Sequence, residues 1–397
     1  MHKLLTHAQI EEAVSDFSLV GTGFFFRVLN RAGRMGTGAN GYRKRVLFQI
    51  CLTWLPLFLL SMLQGLAWGS KVGLPFLNDF ATHARFLLVL PLLVLAEPTV
   101  DSRLRAMTAQ FFRSGILSAE EMPGYEKIES RIRRMANSYI PDLVIGVLVI
   151  GNILLRWYGK PSDFSYWMNR PGTEGFELSW AGWWYFCLSI PVLQYNLLHW
   201  IWRWIIWVIY YFSISRLPMH LNPAHPDSAG GIGFLGTPPG PFFHVSLAIS
   251  ILFSAVAAER IVFLHEKLAN LYLVMGVFTL IIVLLNVLPL LAFIRQLAMA
   301  RRKGIFTYSA LIQAHHRQFD EKWLDKEWTG SLLGMSEASS MTDLNSSYAS
   351  ILAMKFVPFN MRIMMSGIFV SIIPMIPLFA FEYDMLDILK KVIGMLL

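Results

Sequence analysis

Seven stretches of this chain are apolar over most of the roughly 17–25 residues that a helix needs to cross a bilayer. They cover 46–69, 84–98, 140–157, 180–213, 242–264, 268–294 and 364–382. The basic residues between them sort by parity. Residues 1–45 carry Arg27, Arg31, Arg34, Arg43, Lys44 and Arg45. Segments 99–139 and 295–363 carry most of the rest, including Arg131, Arg133, Arg134, Arg301, Arg302 and Lys303. The alternate loops hold little beyond Lys71, Lys160, Arg170 and Lys267. The positive-inside rule then places the N-terminus in the cytoplasm and the C-terminus outside. A miscounted span would scatter these charges over both sides.

Composition excludes a soluble globule of this size. Of 397 residues, 55% are hydrophobic and only 15% charged, against about 25% charged in soluble domains. A net charge of +8 on such a chain fits loops beside anionic lipid, and no nucleic-acid partner is expected. The expected fold class is all-α: a polytopic transmembrane helix bundle with a small helical cytoplasmic cap. A cytoplasmic N-terminal segment, 1–45, precedes one membrane domain, 46–397, with cytoplasmic insertions at 99–139, 214–241 and 295–363. Cys51 and Cys187 lie inside spans and predict no disulfide. The N-terminus lacks a signal-peptide pattern, so the first span is expected to act as an uncleaved insertion signal.

Two spans have the wrong length. The second ends early, at Glu97–Pro98, where Glu97 is expected to snorkel to the cytoplasmic surface. The fourth is too long, so it must tilt, kink at Pro191 or project; projection of Trp207–Ser215 into the cytoplasm is the expectation. Trp180, Trp183 and Trp184, and then Trp200, Trp202, Trp204 and Trp207, are placed at the two interfaces. In the cap, helices are expected at 100–115 and 118–137, the latter opened by a Ser118/Glu121 capping box. An amphipathic N-terminal stretch lies within 5–30, a helix at about 305–328, and a Ser/Thr-rich connector at 336–350.

The runs NPAHPDSAGGIGFLG (from Asn222), QFDEKWL (from Gln318), TDLNSSY (from Thr342) and VPF (from Val357) carry a resemblance. Over about 215–360 the chain resembles a widespread group of uncharacterised bacterial multi-pass membrane proteins. That resemblance implies a bacterial inner-membrane location and assigns no catalytic residue.

Intramembrane polar residues are the first candidates for function. The fourth span carries Asn196, His199 and Arg203 on one face, the third carries Asn152 and Arg156, and the fifth ends in Glu259, placed to pair with Arg156. Interhelical glue is the plainer role for all of them. The Gly/Pro-rich loop 222–241 offers His225, Asp227, Gly230, Gly231 and Gly233, whose backbone N–H groups could form an anion-binding nest or a re-entrant turn. An ordered cytoplasmic turn is the bland alternative. His220, His225, Asp227 and His244 match no standard metal spacing, so no metal and no cofactor are expected.

The expectation is a channel or transporter for a small solute or ion. The alternatives are a membrane-embedded enzyme using His225 and Asp227 on a lipid-linked substrate, and a scaffold or sensor. The partners expected are the bilayer, a second copy of the chain, and a cytoplasmic protein on 298–360.

Overall fold

A computed structural model describes residues 6, 9–11, 39–158, 166–172, 175–323 and 336–381. Among them, seven helices are long and apolar enough to cross a membrane, which points to a multi-pass membrane protein. The bundle is built from α1 (Ala39–Leu63), α2 (Phe80–Arg113), α4 (Ile140–Tyr158), α5 (Trp180–Ile214), α6 (Phe243–Phe263), α7 (Leu268–Val287) and α10 (Met361–Ile372). On the face where α1 begins, here the proximal face, lie α3 (Met122–Ala136), α8 (Ile294–Trp323) and α9 (Ser336–Leu352). The opposite, distal face carries a two-stranded hairpin, β1 (Asn169–Gly172) with β2 (Gly175–Leu178), paired Asn169 to Leu178.

The second span does not stop at Pro98. α2 runs 34 residues, or about 51 Å, so the helix expected at 100–115 is its continuation. α5 runs 35 residues and α7 continues through α8 to a total of 56. All three are longer than a hydrocarbon core of about 30 Å, and their proximal ends pack together. Thr108 and Tyr210 hydrogen-bond at 2.6 Å, Gln296 donates to the Ser215 carbonyl at 2.6 Å, and Tyr211 and Phe293 rings meet at 5.6 Å. Trp207, Tyr210, Tyr211 and Ile214 are buried in this contact. The expected capping box is present at Ser118 and Glu121, ahead of α3. The expected 336–350 connector is instead helical. Two of its serines bond inside α9, Ser347 donating to the Asp343 carbonyl and Ser350 to that of Ser346, while Ser340 meets His315 of α8 at 3.1 Å. Of the N-terminal amphipathic stretch, only Thr6 and Gln9–Glu11 lie among the described residues, with Ile10 buried and Glu11 paired with Arg113.

No repeat is evident in the sequence, yet α2 and α5 share one construction. Asp79 caps the first by accepting from Thr82 N, and Ser179 caps the second by accepting from Gly182 N. Each then makes one short helical turn, a wide π-type turn (84–89 and 185–189), and a proline two residues later, Pro91 and Pro191. The wide turn gives carbonyls that the proline would orphan a donor one residue further on.

The remaining prolines explain the tryptophans. Pro56 leaves the Leu52 carbonyl without its helical donor; Trp184 Nε1 donates to it at 3.0 Å, and Ser189 covers Thr53 at 2.9 Å. Pro289 does the same to Leu285, and Trp204 Nε1 donates there at 2.8 Å. Ser254 Oγ donates to the Pro374 carbonyl, freed by Pro377. So the second tryptophan cluster turns toward the protein: Trp200 and Trp207 are buried and the half-buried Trp204 donates to a half-buried carbonyl of α7. Trp180 and Trp183, at the distal end of α5, are 57% and 41% exposed. Trp204→Phe is expected to destabilise the fold by about 1 kcal/mol, the net contribution of one hydrogen bond to a half-buried carbonyl. An unchanged melting temperature in detergent would show that the carbonyl has another donor.

Candidate functional site: two ionic clusters in the bundle

The proximal cluster centres on Glu97, which is 4% exposed. Arg203 donates from both terminal nitrogens to Glu97 Oε1 at 3.1 Å, and Arg45 pairs with Oε2. The carboxylate thus ties α1 and α5 to α2. The Trp200 ring lies 4.6 Å from the Arg203 guanidinium and supplies a cation–π contact. Glu97 therefore does not snorkel. Two guanidinia from two helices thus share one buried carboxylate on a third.

The distal cluster lies about 18 Å away along α2, twelve residues at the helical rise. Arg85, in the wide turn of α2, donates to Tyr185 Oη at 3.0 Å, in the matching turn of α5. It also reaches Glu259 of α6 at 3.4 Å. The expected partner of Glu259 was Arg156, whose side chain lies outside the described residues; the pairing observed is with Arg85. A loop roof covers the cluster. Trp167 is fully buried, donates to Asp79 Oδ2 at 2.9 Å, and meets the Tyr185 ring at 5.6 Å. Gly182 allows that roof to sit down, because any Cβ there would collide with the Met168 carbonyl.

Between the clusters the polar stripe of α5 packs against protein. Asn196 Nδ2 donates to its own helix at Val192 O, 2.8 Å. His199 is buried, stacks on Tyr195 with ring centroids 5.6 Å apart, and lies 3.9 Å from Asp142, which accepts from Tyr195 Oη at 2.7 Å. Asn152 is half-buried on α4 and falls in neither ionic cluster. Of the expected stripe, only Arg203 belongs to the proximal cluster. Arg45, Arg85, Asp142 and Tyr185 escaped the sequence reading. Arg45 and Arg85 sit at the edges of apolar runs, where a charge looks like a boundary marker.

The glycine loop is an ordered turn whose nest is already filled. Asp227 Oδ1 accepts from Ala229 N at 2.8 Å and Gly231 N at 3.1 Å, and Oδ2 accepts from Gly233 N at 2.8 Å. Gly230 and Gly231, at φ +64° and +96°, make that wrap without strain. The expected site for an external anion is thus occupied by the chain's own carboxylate. Burial raises the Asp227 carboxyl, but the three N–H groups and His225 Nδ1, 2.9 Å away, outweigh it and hold it below the ordinary range. A depressed carboxyl stabilises the fold above its unfolded pKa and loses that contribution as pH falls through the folded value. Amide exchange at Gly231 and Gly233 should therefore stay slow at neutral pH and accelerate below the ordinary aspartate range. Asp227→Ala should make it fast at every pH; slow exchange in that variant would assign the order of the loop to other contacts.

Of the four residues weighed for a metal, His220 lies beside Glu121 at 3.7 Å and His225 beside Asp227. Among the described residues no three His, Cys, Asp or Glu side chains are placed to share an ion. The chain matches no protein-family model, no curated protein and no solved structure.

Proposed function

We propose that this chain is a carrier for a small solute or ion in the bacterial inner membrane, with its proximal face in the cytoplasm. One observation carries the reading: the paired broken helices α2 and α5, each with a wide turn and a proline at matching positions, bracket Arg85, Tyr185 and Glu259. Interrupted helices in corresponding positions are where carriers build their sites. Arg85 would hold an anionic or acceptor group of the solute in exchange for Glu259. Arg45, Glu97 and Arg203 would form the cytoplasmic closure, which has to break for release.

The test uses single cysteines in a background with Cys51 and Cys187 replaced by serine. A reporter active only outside the cytoplasm should work after Leu397 and fail near Ser339. A membrane-impermeant maleimide should label position 85 from the outside and leave position 93, one turn before Glu97 and buried, unlabelled while the triad is closed. Protection of position 85 from both sides under every ionic condition and pH would sink the reading.

A scaffold role has one observation behind it. α8 extends 30 residues with only Leu297 and Gly304 buried, so the α8–α9 hairpin offers most of its surface to a cytoplasmic partner. Deleting that hairpin with flux retained would separate the two roles. The enzyme alternative loses its base, since both oxygens of Asp227 serve the loop.

A further inference from the structure

The perimeter of the bundle holds a second feature, away from both ionic clusters. An open groove of about 730 Å³ runs between α3, α4 and α5. Its walls are apolar, with Val144 and Leu148 from α4 facing Ile201 and Trp202 from α5. Arg131 and Arg134 of α3 close its proximal end, and both are exposed. Volume and lining suit a flexible hydrocarbon chain better than a polar solute.

The charges decide the occupant. Among the described residues no carboxylate pairs with Arg131 or Arg134; Arg134 Nε reaches only the Ser130 carbonyl at 3.4 Å. On the same helix Glu129 pairs with Arg133 at 2.6 Å. The arginine end therefore presents two positive charges above an apolar slot. The slot lies on the outward side of α4, whose Val144 and Leu148 are 51% and 54% exposed. In a bilayer that side faces lipid tails, and the arginines stand where α4 starts, at headgroup depth.

We propose that this groove binds one anionic phospholipid of the proximal leaflet, its phosphate held by Arg131 and Arg134 and an acyl chain laid between α4 and α5. The inference rests on the membrane placement of the helices and not on the transport reading. Its chemistry is that of bidentate guanidinium–phosphate recognition joined to apolar burial.

The test is native mass spectrometry of the full chain in detergent, titrated with phosphatidylglycerol and, in parallel, phosphatidylcholine of the same chains. One phosphatidylglycerol should bind well above the phosphatidylcholine background. Each exposed arginine is expected to contribute about fivefold, so Arg131→Ala/Arg134→Ala should weaken phosphatidylglycerol about 25-fold while the lipid-free melting temperature holds. Val144→Trp should fill the slot and weaken binding with both arginines intact. Millimolar inorganic phosphate should compete poorly, because it lacks the chain. Equal retention of the two lipids, or a double variant that binds as the parent does, would overturn the assignment. Full displacement by phosphate with Val144→Trp unaffected would also overturn it, leaving a bare anion site.

Discussion

Glu97→Leu is expected to be among the most destabilising single changes in the bundle, costing about 3–5 kcal/mol, because it removes the buried carboxylate that two guanidinia share. The side chains of Arg45, Glu97 and Arg203 are only 8%, 5% and 4% exposed, so water does little to screen them. Arg203→Leu should cost less, since it leaves a neutral Arg45–Glu97 pair. Arg45→Met/Glu97→Leu/Arg203→Met should recover most of the loss, as apolar replacement of whole buried ionic groups often does. Unfolding in mixed detergent measures all three. A Glu97→Leu cost below about 1 kcal/mol would mean the cluster is hydrated. If the triad is a cytoplasmic closure, the triple variant should be folded and stable yet unable to open, so recovered stability with normal flux would reduce the cluster to structural glue.

What the sequence made legible followed periodicity and composition. Seven spans could be counted because long apolar runs have few alternatives, and the fourth could be read as one overlong helix because nothing charged interrupts it after Arg203. α2 and α8 defeated the same logic. Their proximal halves carry Asp101, Arg103, Arg105 and Arg113, or Arg301, Arg302 and Lys303, so a helix that continues looks like a span that has ended. Pro98 reinforced the error, yet its helix passes through it. Polar partners were legible only as a requirement. An arginine inside an apolar run must find a counter-charge, but the sequence does not say that Arg203 finds it 106 residues away, at a glutamate that a third helix also claims. The loop shows the opposite failure. Its glycines do make a nest, and the sequence even supplies the anion, Asp227, but whether the nest is filled from within depends on a backbone path that composition leaves open.

The distal cluster separates structure from transport. Arg85 and Glu259 meet at 3.4 Å with side chains 16% and 27% exposed, so the pair is partly solvated and breaking it should alter stability modestly. If Arg85 binds the solute, its loss removes a charge-assisted contact of about 1.5–3 kcal/mol, or about 10–100-fold in apparent affinity. Arg85→Ala should therefore cut proteoliposome flux steeply at a melting temperature close to the parent's. Tyr185→Phe removes the hydroxyl that aims Arg85 and should fall between. The double variant Arg85→Ala/Glu259→Ala distinguishes the two roles. As a purely structural pair, its members should be jointly dispensable, with flux recovering when both are gone. As a site in which the solute displaces Glu259 from Arg85, the double variant should be as inactive as Arg85→Ala. Recovered flux there would remove the distal cluster from the transport path, and the matched breaks in α2 and α5 would then be no more than accommodation of Pro91 and Pro191.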